Sequence, residues 1–106
     1  LDTRTRAEFV GDVEFDGRGG HLPRAVHVPW ETFRPQAADL FPTATDAARI
    51  LKEAGIEPGQ PIIAYCQRGP RAAVPTIALR LHGYDVRLYD GSFSDWISDP
   101  DAPIER

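Results

Sequence analysis

The sequence predicts one α/β domain built on a small, mainly parallel sheet. Residues 61–65 form an apolar run with the pattern of a strand buried on both faces, and helical patterns stand before and after it. Strands that alternate with helices along a chain favour parallel pairing, with the helices packed on the sheet. The 106 residues fit a single domain, residues 1–106, and leave no room for two of ordinary size.

Composition and charge exclude several other classes of protein. Hydrophobic residues make up 42% of the chain and charged residues 26%, which is the balance of a globular domain and not of a disordered tail or a coiled coil. No apolar run is long enough to cross a bilayer, so no membrane partner is expected. The net charge of −4 argues against binding nucleic acid through charge. The single cysteine excludes a disulfide framework and a multi-cysteine zinc site.

The first third of the chain is predicted to form short elements between loops. The pattern predicts a helix over residues 4–9, a loop over residues 10–20, and a short strand over residues 25–28. One helical turn is predicted at residues 30–33, and a loop follows between Pro35 and Pro42.

The clearest helix covers residues 43–54, where Thr43 or Thr45 can cap the start and Gly55 suits the end. Apolar residues recur there at helical spacing: Ala47, Ile50, Leu51 and Ala54. After the strand at residues 61–65, a second helix is predicted over residues 72–82.

This second helix is expected to turn one apolar face to the core and to hold Pro75 in its first turn, where a missing N–H costs little. The expected core residues are Val74, Ile77, Ala78 and Leu81. A short strand is then predicted at residues 86–89 and a last helix at residues 92–97 with Ser92 as its cap, before an irregular tail.

Cys66 stands where a ligand site is expected, at the carboxyl end of the buried strand and just before a helix. Backbone N–H groups of such a turn and the helix dipole favour negative charge there. Arg68 and Arg71 add two positive charges to the same turn. All these effects stabilise a thiolate, which is the nucleophilic form of cysteine.

Two other interpretations of Cys66 compete with that of a nucleophile. A lone cysteine is most often a small buried apolar residue, but such a residue has no use for flanking arginines. Cysteine-dependent phosphatases place five residues between cysteine and arginine, whereas four separate Cys66 from Arg71. The shorter loop suits a sulfur atom better than a phosphate group, so the count argues against a phosphatase.

Three separated motifs resemble those of the rhodanese-type sulfurtransferases. They are the loop CQRGPR at residues 66–71, the stretch GHLPRAVHVPW at residues 20–30, and the stretch YDGSFSDW at residues 89–96. The chain looks most like the second, catalytic half of tandem-domain thiosulfate sulfurtransferases. The resemblance implies a rhodanese-like three-layer domain, in which helices flank both faces of a small, mostly parallel sheet.

The resemblance also implies a two-step sulfur transfer without metal or organic cofactor. The Cys66 thiolate would take sulfur from thiosulfate or a related donor anion, and the resulting persulfide would pass it to cyanide or a thiol. A second rhodanese domain is a further candidate partner, and a cytoplasmic location is expected. The alternative is a non-catalytic rhodanese-fold module that binds or regulates a partner.

The same resemblance assigns roles to residues around Cys66, the expected catalytic residue. The active-site loop that would bind substrate comprises Gln67, Arg68, Gly69, Pro70, Arg71 and Ala72. The expected supporting residues are Asp2, Arg4 and Asp90. Arg68 is expected to meet the sulfite end of the donor, and Arg71 to brace the loop through hydrogen bonds to the backbone.

Overall fold

The computed structural model describes residues 1–33 and 41–106, so most of the loop predicted between Pro35 and Pro42 lies outside the described residues. The elements in chain order are α1 (Arg6–Val10), a 3-10 turn (Trp30–Phe33), α2 (Ala44–Glu53), β1 (Ile62–Ala64), α3 (Pro70–Arg80), β2 (Val86–Leu88) and α4 (Ser92–Trp96). Within the described ranges, no helix is long and apolar enough to cross a membrane.

The sheet is parallel, as predicted. Strand β1 pairs with β2 in the register that places Ile62 opposite Val86. Single parallel bridges extend the sheet on the other side of β1, because Asp2 pairs with both Tyr65 and His27. The prediction of a strand at residues 25–28 is therefore wrong, because only a single bridge forms there, at His27. The segment beside it leaves the sheet soon after Asp2 to begin α1 at Arg6.

Helices cover both faces of this sheet through two separate apolar clusters. The larger cluster joins β1 and β2 to α2 and α3, and includes Leu51, Ala64 and Leu79. The smaller cluster lies on the opposite face, where Tyr65 packs against Phe93 at α4. The α/β class with a small parallel sheet and flanking helices is thus confirmed.

The strand predicted over residues 61–65 is shorter than expected and is not buried on both faces, since Pro61 is exposed and precedes β1. Ile62 and Ala64 are buried, but Ile63 between them is 59% exposed. Successive side chains of a strand point to opposite faces, and α4 covers the second face at Tyr65 but not at Ile63. The local apolar run does not reveal how far a covering helix extends.

The starts of α1 and α2 follow local capping chemistry. Thr5 caps α1 in a reciprocal pair with Glu8, whose carboxylate accepts the Thr5 N–H. Helix α1 therefore begins at Arg6, two residues later than predicted. Thr43 caps α2 by accepting the N–H of Asp46, which is one of the two caps that the sequence allowed.

The core-facing side predicted for α3 is wrong at two of its four positions. Ala78 is buried and Val74 packs against the larger cluster, as expected, but Ile77 and Leu81 are 51% and 63% exposed. The buried positions are Ala72, Pro75, Thr76, Ala78 and Leu79. Apolar residues lie all around this helix, so periodicity does not single out one face.

Pro75 also differs from expectation. Because α3 begins at Pro70, Pro75 lies inside the helix and not in its first turn. Pro70 occupies the first turn instead, where the missing N–H has no helical partner to lose. The carbonyl of Arg71 consequently lacks the i+4 donor that another residue at position 75 would supply.

Candidate active site at Cys66

Cys66 lies two residues beyond the end of β1 and is fully buried. The backbone N–H of Gly69 donates a hydrogen bond to its Sγ at 2.9 Å. Gly69 has a φ of 118°, and a Cβ there would lie 2.7 Å from the backbone oxygen of Asp90. Only glycine fits both conditions, so this residue allows the loop to direct an N–H at the sulfur. Asp90 forms the wall against which the loop packs.

Ser92, which the sequence predicts as a helix cap, contacts Cys66 and belongs to the site. Its hydroxyl accepts the N–H of Cys66 at 3.1 Å, donates to the Tyr89 carbonyl at 2.7 Å, and lies 3.9 Å from the cysteine sulfur. The predicted role as a helix cap is wrong, because Gly91 is the N-cap of α4 and no side chain caps it. Parallel strands end at a common edge, and this was the available signal that a serine just after β2 lies near Cys66.

Below the loop lies a buried ion pair between Arg4 and Asp2, with an N···O distance of 2.7 Å. The guanidinium of Arg4 also donates to the side-chain oxygen of Gln67 at 3.1 Å and lies over the ring of Phe93 at 4.2 Å. The hydroxyl of Tyr65 donates to Asp2 at 2.8 Å. Asp2 and Arg4 thus reach the active-site loop through Gln67, and their supporting role remains a prediction.

On the exposed side of the loop lies Asp16, which the sequence did not single out. Its carboxylate accepts hydrogen bonds from Gln67 at 2.9 Å, Arg68 at 2.9 Å and Ser94 at 3.0 Å. The hydrogen bonds from Gln67 and Ser94, with the nearby Arg68 charge, lower the pKa of Asp16 below its usual value. Asp16 is therefore an anion at neutral pH.

Arg71 does not make the contacts expected of it. Its guanidinium donates two hydrogen bonds, each 2.9 Å long, to the Glu8 carboxylate, whereas hydrogen bonds to the loop backbone were predicted. Burial raises the pKa of Glu8, but hydrogen bonds from Arg71 and Thr5 outweigh burial and lower it to about 2. Glu8 sits on α1 and reaches Arg71 near the start of α3, a pairing across 63 positions that no local pattern reveals.

The remaining loop residues prepare the start of α3. Pro70 is its first residue, and Ala72 is fully buried in the larger apolar cluster. Chemically, the arrangement brings one thiol to the end of a strand beneath a donated N–H, with the cations Arg68 and Arg71 in the same loop. Among residues 1–33 and 41–106, no group of three or more His, Cys, Asp and Glu side chains is arranged to hold a metal ion.

The sequence is similar to those of known proteins. The profile of the Rhodanese-like domain family matches residues 1–99. A protein named putative thiosulfate sulfurtransferase SseB from Mycobacterium tuberculosis is 37% identical over the whole chain, and a thiosulfate sulfurtransferase from Azotobacter vinelandii is 33% identical over 98% of it. The chain spans only 37% and 38% of the lengths of these two relatives.

Solved structures of other proteins superpose on this chain. The crystal structure of a probable thiosulfate sulfurtransferase superposes with a TM-score of 0.77 at 32% identity, covering 99% of this chain and 41% of that one. The anaerobic ergothioneine biosynthesis enzyme from Chlorobium limicola superposes with a TM-score of 0.84 at 24% identity, covering 98% of this chain and 27% of that one, which shows a shared fold. Because the family profile matches residues 1–99 of this chain, the chain belongs to the Rhodanese-like domain family.

Proposed function

We propose that this chain is a sulfurtransferase domain in which Cys66 carries the transferred sulfur as a persulfide. The observation that carries the proposal is the hydrogen bond from the Gly69 N–H to the Cys66 sulfur at 2.9 Å. An N–H directed at sulfur stabilises the thiolate before transfer and the anionic persulfide after it. The relatives named thiosulfate sulfurtransferase support the same reaction class.

In the first step, the Cys66 thiolate attacks the outer sulfur of thiosulfate. A bond forms between the two sulfur atoms, the S–S bond of thiosulfate breaks, and its electron pair leaves on sulfite. In the second step, cyanide or a thiolate attacks the outer sulfur of the persulfide, and the electron pair of that S–S bond returns to Cys66. Neither step needs an added oxidant or reductant.

Arg68 is the cation suited to the leaving sulfite, since its side chain is 68% exposed while Arg71 is held by two hydrogen bonds to Glu8. A charge-assisted contact of this kind strengthens as negative charge develops on the leaving group. A second rhodanese domain as partner and a cytoplasmic location, where a lone cysteine stays reduced, belong to the same proposal.

Intact-protein mass spectrometry tests the proposal directly. After thiosulfate treatment, we expect the mass to rise by one sulfur atom, and after cyanide to return to the starting value. Cys66→Ser is the matched control and should gain no mass. A wild-type protein that takes up no sulfur would overturn the proposal and favour a non-catalytic binding or regulatory module.

A further inference from the structure

We propose that Asp16 sets the donor specificity of this site by disfavouring donors with two negative charges. The inference rests on the proposed function, because it concerns which donor loads sulfur onto Cys66. Asp16 comes from the acidic loop at residues 10–20 and lies outside the three motifs of the family resemblance.

The position of Asp16 links the two segments that border the cysteine sulfur. Gln67 and Arg68 belong to the active-site loop, whereas Ser94 belongs to α4, and all three donate to the same carboxylate at 2.9–3.0 Å. The Cys66 sulfur itself is buried, while the Asp16 side chain is 29% exposed. The carboxylate is therefore bound to the residue that follows Cys66 and to Arg68, the exposed arginine that a donor would meet.

Three ion pairs border the active-site loop. Arg4 pairs with Asp2, Arg71 pairs with Glu8, and Arg68 pairs with Asp16. The two pairs at Arg4 and Arg71 involve carboxylates that are 0% and 4% exposed, so small ions in solvent do not readily exchange with them. Arg68 and Asp16 form the exposed pair, and this is the pair that a donor anion can open.

Opening that pair has a different consequence for donors of different charge. The sulfite end of thiosulfate must displace Asp16 from Arg68 and then lie beside an uncompensated carboxylate. The methanethiosulfonate anion carries one negative charge where thiosulfate carries two, so it meets less repulsion at the same place. When it reacts, Cys66 gains the terminal sulfur, the S–S bond breaks, and the electron pair leaves on methanesulfinate, which has one charge where sulfite has two.

Steady-state kinetics with both donors and cyanide as acceptor test the inference. Asp16→Asn keeps the shape and an accepting oxygen, and asparagine tolerates the φ of 63° at this position. We expect kcat/KM for thiosulfate to rise by about three- to tenfold, the size expected for removing one partly exposed like charge. With methanethiosulfonate the change should stay below about twofold.

Two further variants separate the charge effect from other causes. Asp12→Asn removes the same charge from an exposed position of the same loop and should leave the ratio of the two donors unchanged. Asp16→Gly also tolerates a positive φ, removes the carboxylate, and should shift the ratio in the same direction as Asp16→Asn.

The outcomes distinguish this inference from the proposed function. An active enzyme whose donor ratio is unchanged by both Asp16 substitutions overturns the inference alone. Equal rises with both donors also overturn it, because they would indicate easier access and not charge discrimination. A wild-type protein inactive with both donors overturns the proposed function and the inference with it.

Discussion

Two ion pairs of similar length flank Gln67 in opposite environments. Arg4 and Asp2 are 2% and 0% exposed, whereas Arg68 and Asp16 are 68% and 29% exposed. Removing one partner of a buried pair leaves a charge that water cannot solvate, while an exposed pair is screened and contributes little to folding. Burial therefore decides which pair can hold the loop in place and which can exchange its partner for a ligand.

The largest effect is expected at Cys66, the residue that precedes Gln67. Cys66→Ser should abolish cyanide-dependent thiocyanate formation, because a serine hydroxyl is not ionised at neutral pH and cannot carry the sulfur. The free energy of unfolding should change little, since serine is close to cysteine in size. Turnover and urea unfolding measure the two quantities, and remaining turnover in this variant would contradict the mechanism.

The next effect concerns the buried pair. Arg4→Met keeps much of the side-chain volume but leaves the Asp2 carboxylate buried without a partner, so we expect a loss of about 3–5 kcal/mol in the free energy of unfolding. Urea unfolding measures it. Arg49→Met is the matched control, because Arg49 is 56% exposed and pairs only at 3.6–3.7 Å. Comparable small losses in both variants would erase the contrast between buried and exposed pairs.

The exposed pair should show the opposite balance between activity and stability. Arg68→Ala should reduce kcat/KM for thiosulfate by a factor that corresponds to about 1.5–3 kcal/mol of lost transition-state stabilisation. The reason is the loss of a charge-assisted contact to the sulfite end. Its free energy of unfolding should change by less than about 0.5 kcal/mol. Kinetics with thiosulfate and methanethiosulfonate check the assignment, and equal losses with both donors would make Arg68 a structural residue.

The smallest effect is expected at the pair of intermediate exposure, where Glu8 is 4% and Arg71 31% exposed. Folding lowers the pKa of Glu8 from 4.5 to about 2, so this carboxylate stabilises the fold above pH 4.5. That contribution, about 1–2 kcal/mol after allowing for solvent screening, should be lost as the pH falls from 4.5 towards 2. Urea unfolding across this window measures it.

Glu8→Gln supplies the control for this pH dependence. The variant removes the titrating group, so its stability should fall less steeply than that of the wild type between these pH values. Identical slopes would show that the pair of Glu8 and Arg71 contributes nothing to acid sensitivity.

Arg71→Ala should lower the free energy of unfolding at neutral pH, because it leaves the buried Glu8 carboxylate without its ion-pair partner. It should also reduce kcat/KM with both donors, and urea unfolding and steady-state kinetics measure the two effects.

Features that depend on neighbouring residues were predictable. The position of Cys66 after β1 follows from an apolar run and a turn before a helix, and the cap of α2 at Thr43 follows from local chemistry. The buried face of α3 was not predictable, because its apolar residues surround the helix and only the sheet beneath selects a face. Exposure of Ile77 shows the result.

The α/β class, the place of the thiol and the basic loop around it follow from the sequence, because strand patterns, turns and helix starts act over a few residues. The carboxylate that meets each arginine follows only from the packing of distant segments. Asp16 and Arg68 are 52 positions apart, and Glu8 and Arg71 are 63 apart. Such partners are chosen when elements pack and burial requires each charge to be compensated, and no local periodicity encodes that choice.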